Sequence, residues 1–75
     1  MAKNKAPELV RLGSNVRKLR EARDWTQERL AEKADLDQTY ISGIERGERN
    51  LTILSAAKLA AALKTTVSTL CEGID

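Results

Sequence analysis

The sequence predicts an all-α domain of five short helices. Three observations carry that prediction. Apolar residues recur at three- and four-residue spacing, nothing alternates with a period of two, and a Thr or Asp cap precedes each apolar run after the first. A chain of 75 residues forms one unit at most, residues 1–75 as a single domain, and buries only about 60% of its unfolded surface. Its hydrophobic fraction of 41% and charged fraction of 32% belong to a globular domain and not to a disordered one.

Pro7 suits the first turn of helix one, where its missing donor costs nothing. Leu9, Leu12, Val16 and Leu19 then form one apolar stripe, ending near Ala22. Gly13 inside that stripe permits another element to approach closely. Asp24-Trp25-Thr26 breaks the periodicity, and Thr26 caps helix two, with Leu30, Ala31 and Ala34 inward. Trp25 reads as a half-buried plug between helices one and two. After the turn Asp35-Leu36-Asp37, Asp37 caps helix three, whose inward positions are Tyr40, Ile41 and Ile44. Gly47 ends it as a left-handed residue. Thr52 caps helix four, with Ile53, Ala56, Leu59, Ala60 and Leu63 inward, and Thr66 caps a short helix five carrying Val67, Leu70 and Ile74.

Composition removes several classes of function. No apolar run approaches the ~20 residues of a membrane helix, and MAKNKAPE has no signal-peptide core, so no membrane partner and a cytoplasmic location are expected. One cysteine, Cys71, cannot make an internal disulfide, which fits a reducing compartment, and it reads as packing. With no histidine, a zinc site would need carboxylates almost alone and imidazole acid–base chemistry is excluded. There is no phosphate-cradling glycine loop and no nucleophile–base pair. No enzyme, cofactor or metal is expected.

The net charge of +2 is too small to point to nucleic acid, but its distribution is uneven. Residues 1–23 carry seven basic and two acidic groups, whereas residues 51–75 carry two of each. A charged pole and an apolar pole point to a polyanion at one end and a protein surface at the other; a merely solvated first helix is the plainer reading.

Thr26–Ala34, a three-residue turn and Asp37–Arg46 have the dimensions of a helix-turn-helix, about residues 26–46. The string WTQERLAEKADLDQTYISGIERGERNLT, Trp25 to Thr52, resembles the helix-turn-helix family of the lambda and 434 repressors. Thr26-Gln27, Leu30-Ala31, Ile41-Ser42 and Ile44-Glu45-Arg46-Gly47 stand at that family's spacings. Within the family, the small size and the TYISGIERGERNLT segment look most like restriction–modification controller proteins, small dimeric regulators acting at their own promoters. Two positions depart from the pattern. Asp35 and Lys64 stand where the family often has glycine, at the turn and after helix four.

The resemblance implies a lambda-repressor-like fold and places Gln27 where it meets a phosphate and braces the next helix, with exposed helix filler as the alternative. Gln38, Thr39, Ser42 and Arg46 fall on the outward face or N-terminal turn of helix three, where side chains can reach base edges. The Tyr40 ring belongs to the core or its hydroxyl to the DNA backbone. Arg49 and Asn50, in the following loop, clamp phosphate or are simply solvated. The resemblance also implies an ion pair, Arg20 with Glu45, tying helix one to helix three. Leu54, Val67, Leu70 and Ile74, in a C-terminal region of about residues 52–74, exceed what one small core buries and are the expected dimer interface.

The function so implied is that of a sequence-specific transcriptional regulator binding a palindromic operator as a homodimer. Its partners are duplex DNA and a second copy, with RNA polymerase a further candidate. The competing reading is a protein-binding module, an antitoxin or anti-regulator on the same fold. Salt-dependent binding to duplex DNA discriminates the two.

Overall fold

The computed structural model describes residues 5–74. Five helices follow in order: α1 (Pro7–Glu21), α2 (Gln27–Ala34), α3 (Gln38–Glu45), α4 (Ile53–Ala62) and α5 (Val67–Leu70). There is no strand among the described residues. Each start after the first is capped by the expected side chain. Thr26 Oγ1 accepts from the Arg29 N–H, Asp37 Oδ1 from Thr39, Thr52 Oγ1 from Ser55 and Thr66 Oγ1 from Thr69, all at 3.0 Å. Each such cap satisfies one of the donors a helix start leaves orphaned and contributes about 1 kcal/mol. Pro7 is the first residue of α1.

The helix ends follow the same local logic. Gly47 has φ +75°, and the N–H groups of Gly47 and Glu48 return to the carbonyls of Ile44 and Gly43. Asp35 (φ 56°) and Lys64 (φ 53°) occupy the left-handed region in place of glycine, as does Asp24 (φ 57°). A short polar side chain such as Asp tolerates that conformation better than most; Lys64 has no such help.

The core joins α1 through Leu12 and Val16, α2 through Leu30, Ala31 and Ala34, and α3 through Ile41 and Ile44. Ala56, Leu59, Ala60 and Leu63 complete it from α4 and its C-terminus, with Leu70 from α5. Leu9, Leu19, Leu36 and Tyr40 pack against it half-buried. Trp25 sits at its edge in the α1–α2 connection, with the Arg23 guanidinium 5.1 Å from its ring centroid. Gly13 is the point of closest approach between α1 and α3. A Cβ there would stand 2.8 Å from the Glu45 carbonyl oxygen and nearer still to that of Ile44.

The C-terminal region departs from expectation in three places. Leu70, expected on an interface, is 0% exposed: α5 folds back on both α4 and α1, so its last residue lands inside. Ile53, expected inward, is 83% exposed, because a first-turn side chain leans back toward the helix start, beyond the core layer. Cys71, expected in the packing, is exposed. Leu54 and Val67 are exposed and Ile74 is half-buried.

α5 is held by a device that composition and periodicity did not single out. The buried Asn15 donates from Nδ2 to the carbonyls of Leu70 (2.8 Å) and Glu72 (2.9 Å), and Arg11 Nε donates to Glu72 at 3.1 Å. The signal was present in the sequence. Asn15 falls on the apolar stripe, three residues after Leu12, and a buried amide must find partners.

Candidate nucleic-acid interface

α3 has two sides of opposite character. Ile41 and Ile44 are sealed in the core, whereas Gln38 and Thr39 are exposed and Ser42 half-exposed. Arg46 follows one turn after Ser42 as the exposed C-cap. Gln38, Ser42 and Arg46 are spaced by four, so they line one stripe along the helix. That stripe offers an amide, a hydroxyl and a forked guanidinium, with the Thr39 hydroxyl and methyl beside it. Amides and guanidinium forks match purine edges, and a methyl suits thymine.

Beside its core contacts, α3 is tied to α1 by one ion pair. Arg20 Nε donates to Glu45 Oε2 at 2.7 Å and Nη2 to Oε1 at 2.9 Å, with side-chain exposures of 12% and 4%. Arg20 Nη1 donates to the Trp25 carbonyl at 2.6 Å, and Gln27 Nε2 donates to Glu45 Oε1 at 3.1 Å. The hydrogen bonding that Arg20 donates to the Glu45 carboxylate holds its guanidinium above its ordinary pKa. The carboxylate thus ties α1, the α1–α2 connection and the start of α2 to α3. Its negative charge is spent inward, so it does not repel an anion outside. Gln27 is half-buried at the first position of α2, where a phosphate can still meet the helix N-terminus.

The outer end of α3 carries a looser set of contacts. Arg46 Nε donates to Glu48 Oε1 at 3.0 Å, and Nη1 donates to the Ser42 hydroxyl. Lys5 Nζ donates to the Arg46 carbonyl at 2.6 Å and lies 3.7 Å from Glu48 Oε2. The side chains of Arg46 and Glu48 are 53% and 46% exposed. The Arg46 guanidinium, with help from Lys5, holds the Glu48 carboxyl below the usual carboxylate range. Neither Lys5 nor Glu48 was singled out from the sequence, since nothing local marks which loop charge folds onto Arg46.

The other expected contacts are distributed around this stripe. The Tyr40 ring is half-buried, and its hydroxyl donates to the Asn50 carbonyl at 3.0 Å, so it braces the loop after α3. Asn50 is exposed and accepts the Leu51 N–H through Oδ1. Arg49 is exposed, and its stem lies on Gly43, where a Cβ would meet Arg49 Cγ at 2.5 Å. Leu54 and Val67 lie away from α3, on the C-terminal side. There an apolar groove of about 230 Å³ runs between Leu9, Leu51, Ile53, Val67 and Ile74.

A family model described as helix-turn-helix matches residues 16–70. The chain belongs to that family. This helix-turn-helix chain is 42% identical over 67 residues to control protein C.MunI of Mycoplasma sp, a match covering 88% of this chain and 90% of that relative. It superposes on the restriction–modification controller protein C.AhdI from Aeromonas hydrophila with a TM-score of 0.84 at 40% identity, covering 87% of this chain and 98% of that one. The controller protein C.Esp1396I, solved as a tetramer in complex with its natural 35 base-pair operator, gives a TM-score of 0.79 at 39% identity. That match covers 88% of this chain and 87% of the relative. Among the described residues, no helix is long and apolar enough to cross a membrane.

Proposed function

We propose that this helix-turn-helix chain is a sequence-specific DNA-binding transcription regulator, acting as a homodimer on a two-fold operator and controlling a restriction–modification system. The observation that carries the reading is the outward stripe Gln38, Ser42 and Arg46, presented by a helix that the buried Arg20–Glu45–Gln27 contact holds rigidly from behind. A helix of eight residues is about 12 Å long and reads only a few base pairs, so useful specificity calls for two copies about 34 Å apart. Gln38 and Thr39 serve as the base-reading residues with Ser42 and Arg46; Gln27, Arg49 and Asn50 serve the phosphates, and Tyr40 acts by shaping their loop. Ile53, Leu54 and Val67, with Ile74 at the groove, form the contact between copies. Such a regulator works in the cytoplasm, and an operator beside a promoter brings it against RNA polymerase.

Selection of bound duplexes from a random pool tests the reading. Enrichment of a palindrome is the expected result; a non-symmetric enriched site, or none, contradicts it. Sedimentation of Leu54→Lys, which alters an exposed side chain, should show a helical monomer with poor operator binding. A tight dimer would remove this surface from the interface.

A further inference from the structure

The outer end of α3 places a carboxylate where a DNA-binding surface has least use for one. Glu45 is neutralised and turned inward, but Glu48 is half-exposed and lies beside Arg46, with Ser42 on the other side of the guanidinium. Two consequences follow from this geometry. Arg46 is not a free cation sweeping the surface: Nε donates to Glu48 and Nη1 to Ser42, one of the residues of the outward stripe. A phosphate that approaches Arg46 also approaches the Glu48 carboxylate. Lys5, 3.7 Å from Glu48, is partly occupied in the same way. The local cations are therefore discounted for any ligand that offers only backbone charge. An operator meets the same discount on its phosphates. A guanine edge aligned with the pre-set fork adds contacts that the carboxylate opposes far less, because O6 and N7 carry no formal charge. The discount therefore falls proportionally more on random DNA.

We infer that Glu48 is a specificity-determining positioning residue, which holds the Arg46 guanidinium in its reading orientation and selectively weakens binding to sequence-indifferent DNA. The inference rests on the DNA-binding reading above. It assigns to an acidic loop residue a gain in discrimination at some loss of gross affinity. Non-specific binding is almost wholly electrostatic, so a fixed negative charge acts on it most strongly. Specificity is a difference of affinities, and a repulsive element can supply it.

The test compares wild type, Glu48→Gln and Glu48→Ala on the selected operator duplex and on a random-sequence duplex of equal length, over a series of salt concentrations. Glu48 is exposed in a loop, and circular dichroism checks that each variant is folded. For Glu48→Gln, random-duplex affinity should rise on the order of 5- to 10-fold and its salt slope steepen by about one unit. Operator affinity should rise less, so that the operator-to-random ratio falls by at least about 2-fold. Gln keeps an acceptor for Arg46, whereas Ala does not. Glu48→Ala should therefore show the same gain on random DNA and a loss on the operator relative to Glu48→Gln. In an Arg46→Ala background the Glu48→Gln change should no longer alter the operator-to-random ratio. An unchanged ratio in Glu48→Gln, whether both affinities rise together or neither moves, overturns the inference while leaving DNA binding in place. Absence of duplex binding by wild type overturns the DNA-binding reading itself, and this inference with it.

Discussion

Glu45 and Arg46 are neighbours in sequence and opposites in environment. On the inner side of the C-terminal end of α3, Glu45 and Arg20 are 4% and 12% exposed, bidentate, and supplemented by Gln27 and the Trp25 carbonyl. On the outer side of the same end, Arg46 and Glu48 make a single contact at half exposure, shared with Ser42 and Lys5. Burial decides what each pair does. An ion pair out of water is strongly destabilising to break, because the partner left behind is poorly solvated. An exposed pair contributes little to folding, so its contacts orient a side chain without fixing the fold. One pair therefore fixes the helix and the other sets a side chain that the helix presents.

The sharpest way to break this comparison is to cut the inner pair. Glu45→Ala should cost about 3–5 kcal/mol of stability in denaturant unfolding, because the guanidinium it strands is still largely shielded. Arg20→Ala should cost a similar amount and the double variant less than their sum. Strictly additive energies would mean that the two residues do not act as a unit. Gly13→Ala attacks the same junction sterically: a Cβ 2.8 Å from the Glu45 carbonyl oxygen must push α1 off α3, at about 1–3 kcal/mol. A neutral Gly13→Ala would show that the approach is slack.

The outer end should respond in affinity and not in stability. Arg46→Ala or Gln38→Ala should leave the unfolding midpoint nearly unmoved and cost about 1–3 kcal/mol of operator affinity, read by titration against operator and mutated duplexes. A clear fall in stability for Arg46→Ala would blur the distinction between the two ends. Arg49→Ala should weaken binding to all duplexes alike and flatten the salt slope by about one unit; lost discrimination with the slope intact would make Arg49 a base reader.

The smallest effect expected is on pH. The folded pKa of Glu48 is depressed, first by its hydrogen bond with Arg46, so the contact is fully made above the ordinary carboxylate value and is lost as pH falls through the lower folded one. Carboxyl-resolved NMR titration should place the Glu48 midpoint below that of an exposed glutamate, and Arg46→Ala should raise it toward the ordinary value. An unmoved midpoint would mean that Arg46 is not the cause.

The inner half of this comparison was legible in the sequence, and the outer half was not. The family resemblance brought Arg20 and Glu45 into view, and Gly13 marked the close approach that joins their helices. The Arg46–Glu48 contact depends on how the chain leaves α3 through Gly47, a reversal that folds Glu48 back toward Arg46. The C-terminal region shows the same limit from the packing side. Thr52 and Thr66 announced α4 and α5, but Ile53 and Leu70 exchanged their expected roles once the helices were packed.

Sequence alone was enough for the helix count, the four side-chain caps, the helix-turn-helix spacing and the residues of the outward stripe. All are set within a few residues, by which side chain can accept a nearby N–H and by the 3.6-residue period that sorts one face from the other. Only the tertiary structure decided that Leu70 is core and Ile53 surface, that Asn15 clamps the end of α5, and that Glu48 meets Arg46. The reason is that a period names a face but not what covers it. Coverage depends on how α5 packs against α4 and α1, and the Arg46–Glu48 contact on the path the chain takes through Gly47.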